Sequence, residues 1–141
     1  ELRQLIAQQL GSDDAYLEVF VEDMRYAGLL DAIDEKLIDA ACSLSGCGPA
    51  FVYMFIEALA DGAVACGVPR DKALEYAAAT VEGAAKMVQT TGKHPGALKD
   101  AVCSPGGATI AGVRALEQGG FRAAAMNAVE AACRRTKELG K

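Results

Sequence analysis

The chain has 141 residues, of which 52% are hydrophobic and 23% are charged, and its formal net charge at pH 7 is −5. This length and composition predict one folded domain with a hydrophobic core and exclude an intrinsically disordered chain. Because the chain is acidic and has no basic patch, nucleic acid and anionic membranes are not expected partners. The longest unbroken apolar run, 50–56, is too short to span a bilayer, and no signal peptide is recognisable.

Cysteine and histidine usage argues against a metal site. The chain has five scattered cysteines and no C-x-x-C pair: Cys42, Cys47, Cys66, Cys103 and Cys133. An odd number without paired spacing predicts reduced thiols in the cytoplasm rather than a disulfide framework or a zinc site. His94 is the only histidine, which excludes a site with several histidine ligands. A capping or surface role is expected for it, because it precedes Pro95 at a predicted helix start.

The N-terminal part of the chain is predicted to be helical. Residues 1–10 are predicted to form a short helix, and Ser12 is predicted to cap a second helix over 13–26. Apolar residues alternate with other residues inside that second segment, so it could instead form a strand. Asp34 is predicted to open the next helix, 35–44.

The predicted helix 49–66 is apolar on nearly all sides, with Glu57 and Asp61 as its main interruptions. Pro49 suits its first position, because the missing N–H would be unpaired there in any case. A helix without a polar face needs burial on every side. The centre of the domain can provide this burial, and a subunit interface is a second way to provide it.

Four further helices complete the pattern. Pro69 and Asp71 start a helix that runs to Thr91, and the other three are predicted over 95–102, 108–118 and 121–139. Apolar stripes along the first and last of these four are expected to face inward. No βαβ unit is recognisable, so the sequence predicts an all-α fold.

The strongest chemical signal is the stretch 104–112, in which Gly106 and Gly107 precede an apolar helix. Adjacent glycines allow backbone N–H groups to form a concave nest, and the helix adds its unpaired N-terminal donors. The pattern therefore predicts a site for a small anion such as a carboxylate or phosphate, with the Thr109 hydroxyl within reach of the ligand. The alternative is an ordinary loop and helix start, in which Ser104 or Thr109 acts as the cap.

Several motifs together resemble the pyrroline-5-carboxylate reductase family. They lie within 34–139, at 34–40, 44–50, 57–62, 83–87, 94–100, 104–110 and 119–122. The resemblance implies an all-α bundle, similar to the C-terminal domain of 6-phosphogluconate dehydrogenase, that dimerises through intertwined helices. It makes 34–141 the helical dimerisation and substrate-binding domain. Residues 1–33 are then an atypical N-terminal segment or linker, expected to be helical.

The resemblance also implies an activity, namely reduction of 1-pyrroline-5-carboxylate to L-proline with NADPH or NADH, the last step of proline biosynthesis. The implied substrate-binding residues are Ser104, Gly106, Gly107, Ala108 and Thr109. Backbone amides of this loop would hold the substrate carboxylate, and the Thr109 hydroxyl would contact the ring nitrogen as the catalytic group. The implied assembly is a homodimer or a higher oligomer.

The nicotinamide cofactor is implied to be held mainly by an N-terminal Rossmann domain that is absent from this chain. A second glycine turn is implied to face the nicotinamide side of the pocket: Ser45, Gly46, Cys47, Gly48 and Pro49. This turn is not a dinucleotide fingerprint, because Phe51 replaces the third glycine and a helix precedes it. Cys47 stands where the family usually has serine. We therefore expect the chain alone to be inactive; the alternative is a non-catalytic helical oligomerisation or small-anion-binding module.

Overall fold

The computed structural model describes residues 20, 22–24, 28–29 and 33–140. The chain divides into two compact units, Glu1–Ile38 and Asp39–Lys141. The helix predicted over 1–10 lies outside the described residues, and so does the alternation that could form a strand. Of the helix predicted over 13–26, only residues 20 and 22–24 are described, and these are helical.

Every regular element in the described residues is helical, which confirms the all-α prediction. A 3-10 turn, Glu35–Leu37, is followed by six helices: α1 (Ile38–Ser45), α2 (Gly48–Ala65), α3 (Arg70–Thr91), α4 (Pro95–Ala101), α5 (Ala108–Gln118) and α6 (Phe121–Leu139). The predicted boundaries agree with these to within about one residue. The helix predicted over 35–44 differs, because its first turn is wound as a 3-10 helix.

In the first unit, Asp34 precedes the 3-10 turn and caps it. Its Oδ2 pairs with Lys36 Nζ at 2.6 Å, and its Oδ1 accepts a hydrogen bond from the Lys36 backbone N–H at 3.2 Å. The side-chain contact, and after it the backbone contact, hold the pKa of Asp34 below its usual value of 3.8. The predicted helix start at Asp34 is confirmed.

The connection between α3 and α4 is built from two local devices. Gly92 ends α3 in the left-handed conformation, with φ 62° and ψ 9°, and its N–H donates to Val88 O at 3.0 Å. His94 then caps α4, because its Nδ1 accepts a hydrogen bond from the Gly96 N–H at 3.0 Å. The predicted capping role of His94 is confirmed.

The core of the second unit lies between α2 and α3 and is made of small residues. The buried apolar residues, with 0%, 1% and 7% of their surface exposed, are Ala60, Ala73 and Ala77. Because alanine side chains are short, the two helix backbones approach each other closely. Asp61 on α2 accepts a hydrogen bond from Arg70 at 2.5 Å, which ties the start of α3 to α2.

α2 is not covered on all sides by the residues that the structure describes. Ala60 is its only buried residue, whereas Val52, Tyr53 and Met54 are 40%, 69% and 69% exposed. The described part of the chain therefore does not bury this apolar helix on every side.

α6 contacts both of its neighbours but leaves apolar surface open. Its Phe121 ring lies 5.3 Å from the Phe55 ring of α2, centroid to centroid. Arg122 Nε donates to Glu117 Oε1 at 2.6 Å, which joins α6 to α5 across the glycine break. The stripes that were expected to face inward are only partly covered, because Phe121 stays 41% exposed and Leu74 of α3 stays 43% exposed.

Among the residues that the structure describes, one helical stretch, Glu35–Ala65, could cross a membrane by length and composition alone. The run 50–56 therefore understates the apolar length of this region, and length does not exclude a membrane span. A turn at Gly46 and Cys47 interrupts the stretch. A helix that packs in a protein core or at a subunit interface has the same composition.

Candidate functional site

The loop between α4 and α5 closes in a tight turn over 104–107. The Gly107 N–H donates to Ser104 O at 3.0 Å. Pro105 and Gly106 take the two central positions, and Gly106 has a φ of +68°. Proline followed by a glycine with positive φ is typical of a type II turn. The turn delivers the chain directly to the first residue of α5.

The two glycines of this turn are needed for different reasons. Gly106 is left-handed, a conformation that other residues adopt only with strain. Gly107 has φ −77° and ψ 170°, which any residue can adopt. A Cβ on Gly107, however, would overlap Ser104 Oγ and lie 3.2 Å from Ser104 O. Gly106 is therefore favoured by its backbone conformation, and Gly107 by the space that the Ser104 hydroxyl occupies.

The N-terminus of α5 has no side-chain cap. Gly107 occupies the N-cap position, and no side chain accepts a hydrogen bond there. The first helical bond that reaches this end runs from the Ala111 N–H to Gly107 O, at 3.4 Å. In the described structure, neither Ser104 nor Thr109 acts as the cap that the alternative interpretation required. The amides of the first turn are left to face a ligand or solvent.

The Thr109 hydroxyl differs from other helical threonine hydroxyls in the chain. Four of them donate to the carbonyl four residues earlier, at 2.6–3.0 Å: Thr80, Thr90, Thr91 and Thr136. Four residues before Thr109 is Pro105, which lies outside the helix, and no such bond forms. Thr109 is exposed, and its hydroxyl has no hydrogen-bond partner among the described residues. It is available to a ligand.

A groove of about 370 Å³ runs along one face of α5 from the glycine turn. Its lining residues are Gly106, Gly107, Ile110, Ala111, Arg114, Ala115 and Gln118. Two of the five residues predicted to bind substrate, Gly106 and Gly107, line the groove, whereas Ser104, Ala108 and Thr109 do not.

Arg114 is the groove residue that sequence reasoning missed. It lies at helical spacing from Gly107 and Ile110, so extending the glycine motif along one helix face would have found it. Within the described part of the chain, its guanidinium has no ion-pair or hydrogen-bond partner. It places a positive charge beside the apolar floor of the groove.

Other cations near the loop are paired with carboxylates. Lys99 Nζ, in α4, lies 2.7 Å from Asp100 Oδ1. The Asp100 carboxylate, through this hydrogen bond and through its charge, raises the pKa of Lys99 above its usual value of 10.5. Arg122 is likewise held by Glu117. These partners limit the charge that Lys99 and Arg122 offer to a ligand.

The second glycine turn joins α1 to α2. The Gly46 N–H donates to Cys42 O at 2.7 Å, and a Cβ on Gly46 would lie 2.9 Å from the same oxygen, so the turn itself requires this glycine. A Cβ on Gly48 would have nothing within 4 Å. Among described residues, no hydrogen bond or ion pair joins this turn to the 104–107 turn. The cofactor role stays a prediction for Ser45, Gly46, Cys47, Gly48 and Pro49.

The thiols and carboxylates do not form a metal centre in the part of the chain that the structure describes. No three His, Cys, Asp or Glu side chains cluster there closely enough to hold an ion. All five cysteines are unpaired; Cys42 and Cys66 are exposed, and the other three are half-buried.

Comparisons with known sequences identify relatives of the chain. Residues 35–139 match the family described as "Pyrroline-5-carboxylate reductase dimerisation". The chain is 62% identical over 108 residues to pyrroline-5-carboxylate reductase of Arabidopsis thaliana, which covers 77% of the chain and 39% of that protein. It is 51% identical over 117 residues to the reductase of Escherichia coli (strain K12), covering 83% of the chain and 44% of that protein. The chain thus spans less than half the length of these relatives.

Solved structures resemble the fold. Pyrroline carboxylate reductase of Plasmodium falciparum with NADP bound superposes with a TM-score of 0.82 and 37% identity, over 92% of the chain and 50% of that structure. The 1-pyrroline-5-carboxylate reductase of Streptococcus pyogenes gives a TM-score of 0.75 and 40% identity, over 79% of the chain and 43% of that structure. Because the family match covers most of the helical part, the chain belongs to the pyrroline-5-carboxylate reductase dimerisation family.

Proposed function

We propose that this chain is the C-terminal dimerisation and substrate-binding part of a pyrroline-5-carboxylate reductase. The proposed enzyme reduces 1-pyrroline-5-carboxylate to L-proline with NADPH or NADH, the last step of proline biosynthesis. Family membership and the identity to reductases support this activity. The observation that carries the substrate-binding role is the uncapped N-terminus of α5, which follows directly from the glycine turn.

The proposed ligand of this helix end is the substrate carboxylate. The amides of Gly106, Ala108 and Thr109 have no acceptor within the described structure, so they can donate to an anion. The Gly107 amide is already bonded to Ser104 O, so Gly107 supports the turn rather than the ligand. The positive end of the α5 dipole adds to the attraction.

Thr109 is the proposed catalytic group. When bound, the cofactor supplies a hydride to the imine carbon. The Thr109 hydroxyl hydrogen-bonds the ring nitrogen, orients the imine, and relays a proton to the nitrogen, either directly or through water. Its lack of a partner within the described chain supports this role, because the hydroxyl is free to turn toward the ring.

The cofactor is proposed to be bound mainly by a Rossmann domain outside this chain. On this chain, the turn between α1 and α2 would face the nicotinamide. The open space beside Gly48 fits this role, because a flat ring can approach the backbone there. Cys47, half-buried at the N-cap of α2, replaces the usual serine of this turn without making a capping bond.

The proposed assembly is a homodimer, or a higher oligomer built from it. The exposed apolar side chains of α2, including Tyr53 and Met54, together with Met126 on α6, support this proposal. Obligate interfaces commonly bury more than about 2,000 Å². Sedimentation of the 141-residue chain at micromolar concentration should show a folded dimer, and a folded monomer would contradict the proposal.

The proposed activity is tested by assaying imine reduction with NADPH and NADH, using this chain and the full-length protein that contains it. The full-length protein should turn over. The chain alone should not, and its NAD(P)H binding should be weak or absent. Turnover by the chain alone would contradict the proposal that the cofactor is bound mainly by a domain outside this chain.

The same assay separates the proposed enzyme from its alternatives. A full-length protein that dimerises without reducing the imine would be a helical oligomerisation module. One that binds carboxylate or phosphate without reduction would be a small-anion-binding module. The proposed enzyme is cytoplasmic and contacts neither nucleic acid nor membrane, so it should remain in the supernatant when centrifuged with lipid vesicles.

A further inference from the structure

Ser104 and Gly107 compete for one space at the start of α5. A Cβ built on Gly107 would overlap Ser104 Oγ, and it would lie 3.6 Å from Ser104 Cβ, an ordinary contact distance. The main conflict is therefore with the hydroxyl of Ser104; the Cβ would also lie 3.2 Å from Ser104 O, a tight contact that a small shift of the carbonyl relieves.

A side chain at position 107 would displace the hydroxyl before it displaced the backbone. The φ of −77° and ψ of 170° at Gly107 suit alanine without strain. Ser104 Oγ lies at the end of a single rotatable bond, so another staggered rotamer removes the overlap. An alanine at 107 is therefore expected to turn the hydroxyl out of its present place and leave the turn largely folded.

The present place of this hydroxyl is beside the anion-binding end of α5. Ser104 Oγ occupies the place that a Cβ on Gly107, the N-cap residue of α5, would take. Within the described structure this hydroxyl makes no hydrogen bond. A hydroxyl there is a side-chain donor next to the unpaired amides of the first turn. It extends the set of donors that an anion would meet at this end of the helix.

We propose that Gly107 is a positioning residue that acts through Ser104. By having no side chain, Gly107 keeps open the space in which the Ser104 hydroxyl lies, so that this hydroxyl can donate to the bound carboxylate. The identity of the ligand rests on the proposed reductase function. The coupling between positions 104 and 107 does not, because it follows from the shared space alone.

The kinetic test is a double-mutant cycle in the full-length reductase, with Ser104→Ala, Gly107→Ala and the double variant. Loss of one hydrogen bond to a carboxylate should raise KM for 1-pyrroline-5-carboxylate about tenfold in each single variant, with kcat changed less. The double variant should also show about a tenfold rise, because both changes remove the same contact. A rise of about a hundredfold in the double variant would overturn the proposal. So would a wild-type KM in either single variant.

Gly112→Ala is the matched control, because it is also a glycine-to-alanine change in α5 and nothing lies within 4 Å of its Cβ. It should leave KM unchanged. If Gly107→Ala is poorly folded, adding Ser104→Ala should raise its melting temperature, since the overlap with the hydroxyl is then gone and only the 3.2 Å contact with Ser104 O remains. Failure of this rescue would overturn the proposal.

The structural test uses the 141-residue chain and needs no turnover. NMR couplings should show one dominant χ1 rotamer of Ser104 in the unchanged chain and in Gly112→Ala, and a different one in Gly107→Ala. An unchanged Ser104 rotamer in Gly107→Ala would overturn the proposal even if the reductase is active. A changed rotamer together with an inactive full-length protein would keep the coupling and reject only the proposed function.

Discussion

The N-termini of α4 and α5 are close in sequence but are satisfied in different ways. At α4, the His94 ring accepts the Gly96 N–H and so satisfies one free donor of the helix within the chain. At α5, the N-cap residue is Gly107, which has no side chain to accept anything. The first helix start is closed by its own chain, whereas the second is open to a ligand.

We propose on the basis of this difference that the α4 start is structural and that the α5 start binds a ligand. Proline and glycine stand close to both starts, so these residues alone do not distinguish them. A missing side-chain acceptor at the N-cap does not suffice, because α2, α3 and α6 lack one too. What sets the α5 start apart is its combination with the closed 104–107 turn and the groove beside it. A change at the α4 start should therefore affect stability, and a change at the α5 start should affect turnover. The predictions below test this contrast.

The largest effect is expected at Thr109 in the full-length enzyme. Thr109→Ala removes the proposed bond to the ring nitrogen, which should lower kcat/KM about 5- to 150-fold, equivalent to about 1–3 kcal/mol. Thr109→Ser keeps the oxygen and should retain much of the activity. Steady-state kinetics and thermal melts of both variants make the measurement. A wild-type kcat/KM combined with a melting temperature several degrees lower would contradict the catalytic role. Thr109 would then only stabilise the start of its helix, as His94 does.

Gly106→Ala should damage both stability and turnover. Its left-handed φ of +68° makes alanine unfavourable by about 1–2 kcal/mol, and relief of that strain would move the free amides of the turn. Gly112→Ala is the control, because its helical position favours alanine by up to about 1 kcal/mol. Denaturant melts should show opposite signs for the two variants, and kinetics should show a loss of turnover in Gly106→Ala alone. If Gly106→Ala and Gly112→Ala were equally stable, a side chain at position 106 would not strain the turn, which would contradict this prediction.

His94→Ala should lower stability without a specific kinetic effect. Loss of the bond from the Gly96 N–H to the ring should cost about 1 kcal/mol. His94→Asn restores a short side-chain acceptor and should recover most of that loss. The measurement is the free energy of unfolding, together with KM and kcat of the folded variants. A tenfold loss of kcat/KM in a stable His94→Ala variant would remove the contrast between the two helix starts.

The smallest effect is expected from Asp34, a third kind of start, in which a charged carboxylate is the cap. Its folded pKa lies below 3.8, so its contribution to stability is fully present above about 3.8 and is lost as pH falls through the lower folded value. Compared with Asp34→Asn, the chain should melt slightly higher at about pH 6, and the difference should vanish in strong acid. Because the pair is exposed, added salt should also shrink the difference. A difference that grows on acidification would contradict this prediction.

The helix boundaries could be predicted from the sequence because local residues set them. Pro49, Gly92 and Pro95 each act through their own backbone, and the structure places helix ends beside them. Burial could not be predicted in the same way. The apolar faces of α2 and α6 indicate which surfaces need cover, but burial depends on what packs against them, and the described residues leave them partly exposed.

The candidate site was predictable in its position but not in its detail. Two glycines before an apolar helix predicted either an anion-binding helix start or one capped by Ser104 or Thr109, and the structure shows no such cap. The overlap between Ser104 and position 107 depends on a side-chain rotamer, and the sequence pattern does not set it. Arg114 was missed although helical spacing from Gly107 could have found it, whereas the shape of the groove depends on how α5 follows the turn. Family membership supports the site, but the role of each residue in it stays a prediction.

The alanine core between α2 and α3 has a consequence for how subunits would meet. The three buried residues offer only methyl groups, and each such group adds about 0.8 kcal/mol on burial. In the proposed dimer, most of the apolar burial would then come from the second chain, so folding and pairing become one equilibrium. Dilution would then favour the unfolded chain, and the melting temperature would rise with protein concentration. Labelled and unlabelled dimers would exchange subunits only as fast as they unfold. Two chains that fold together would therefore remain paired.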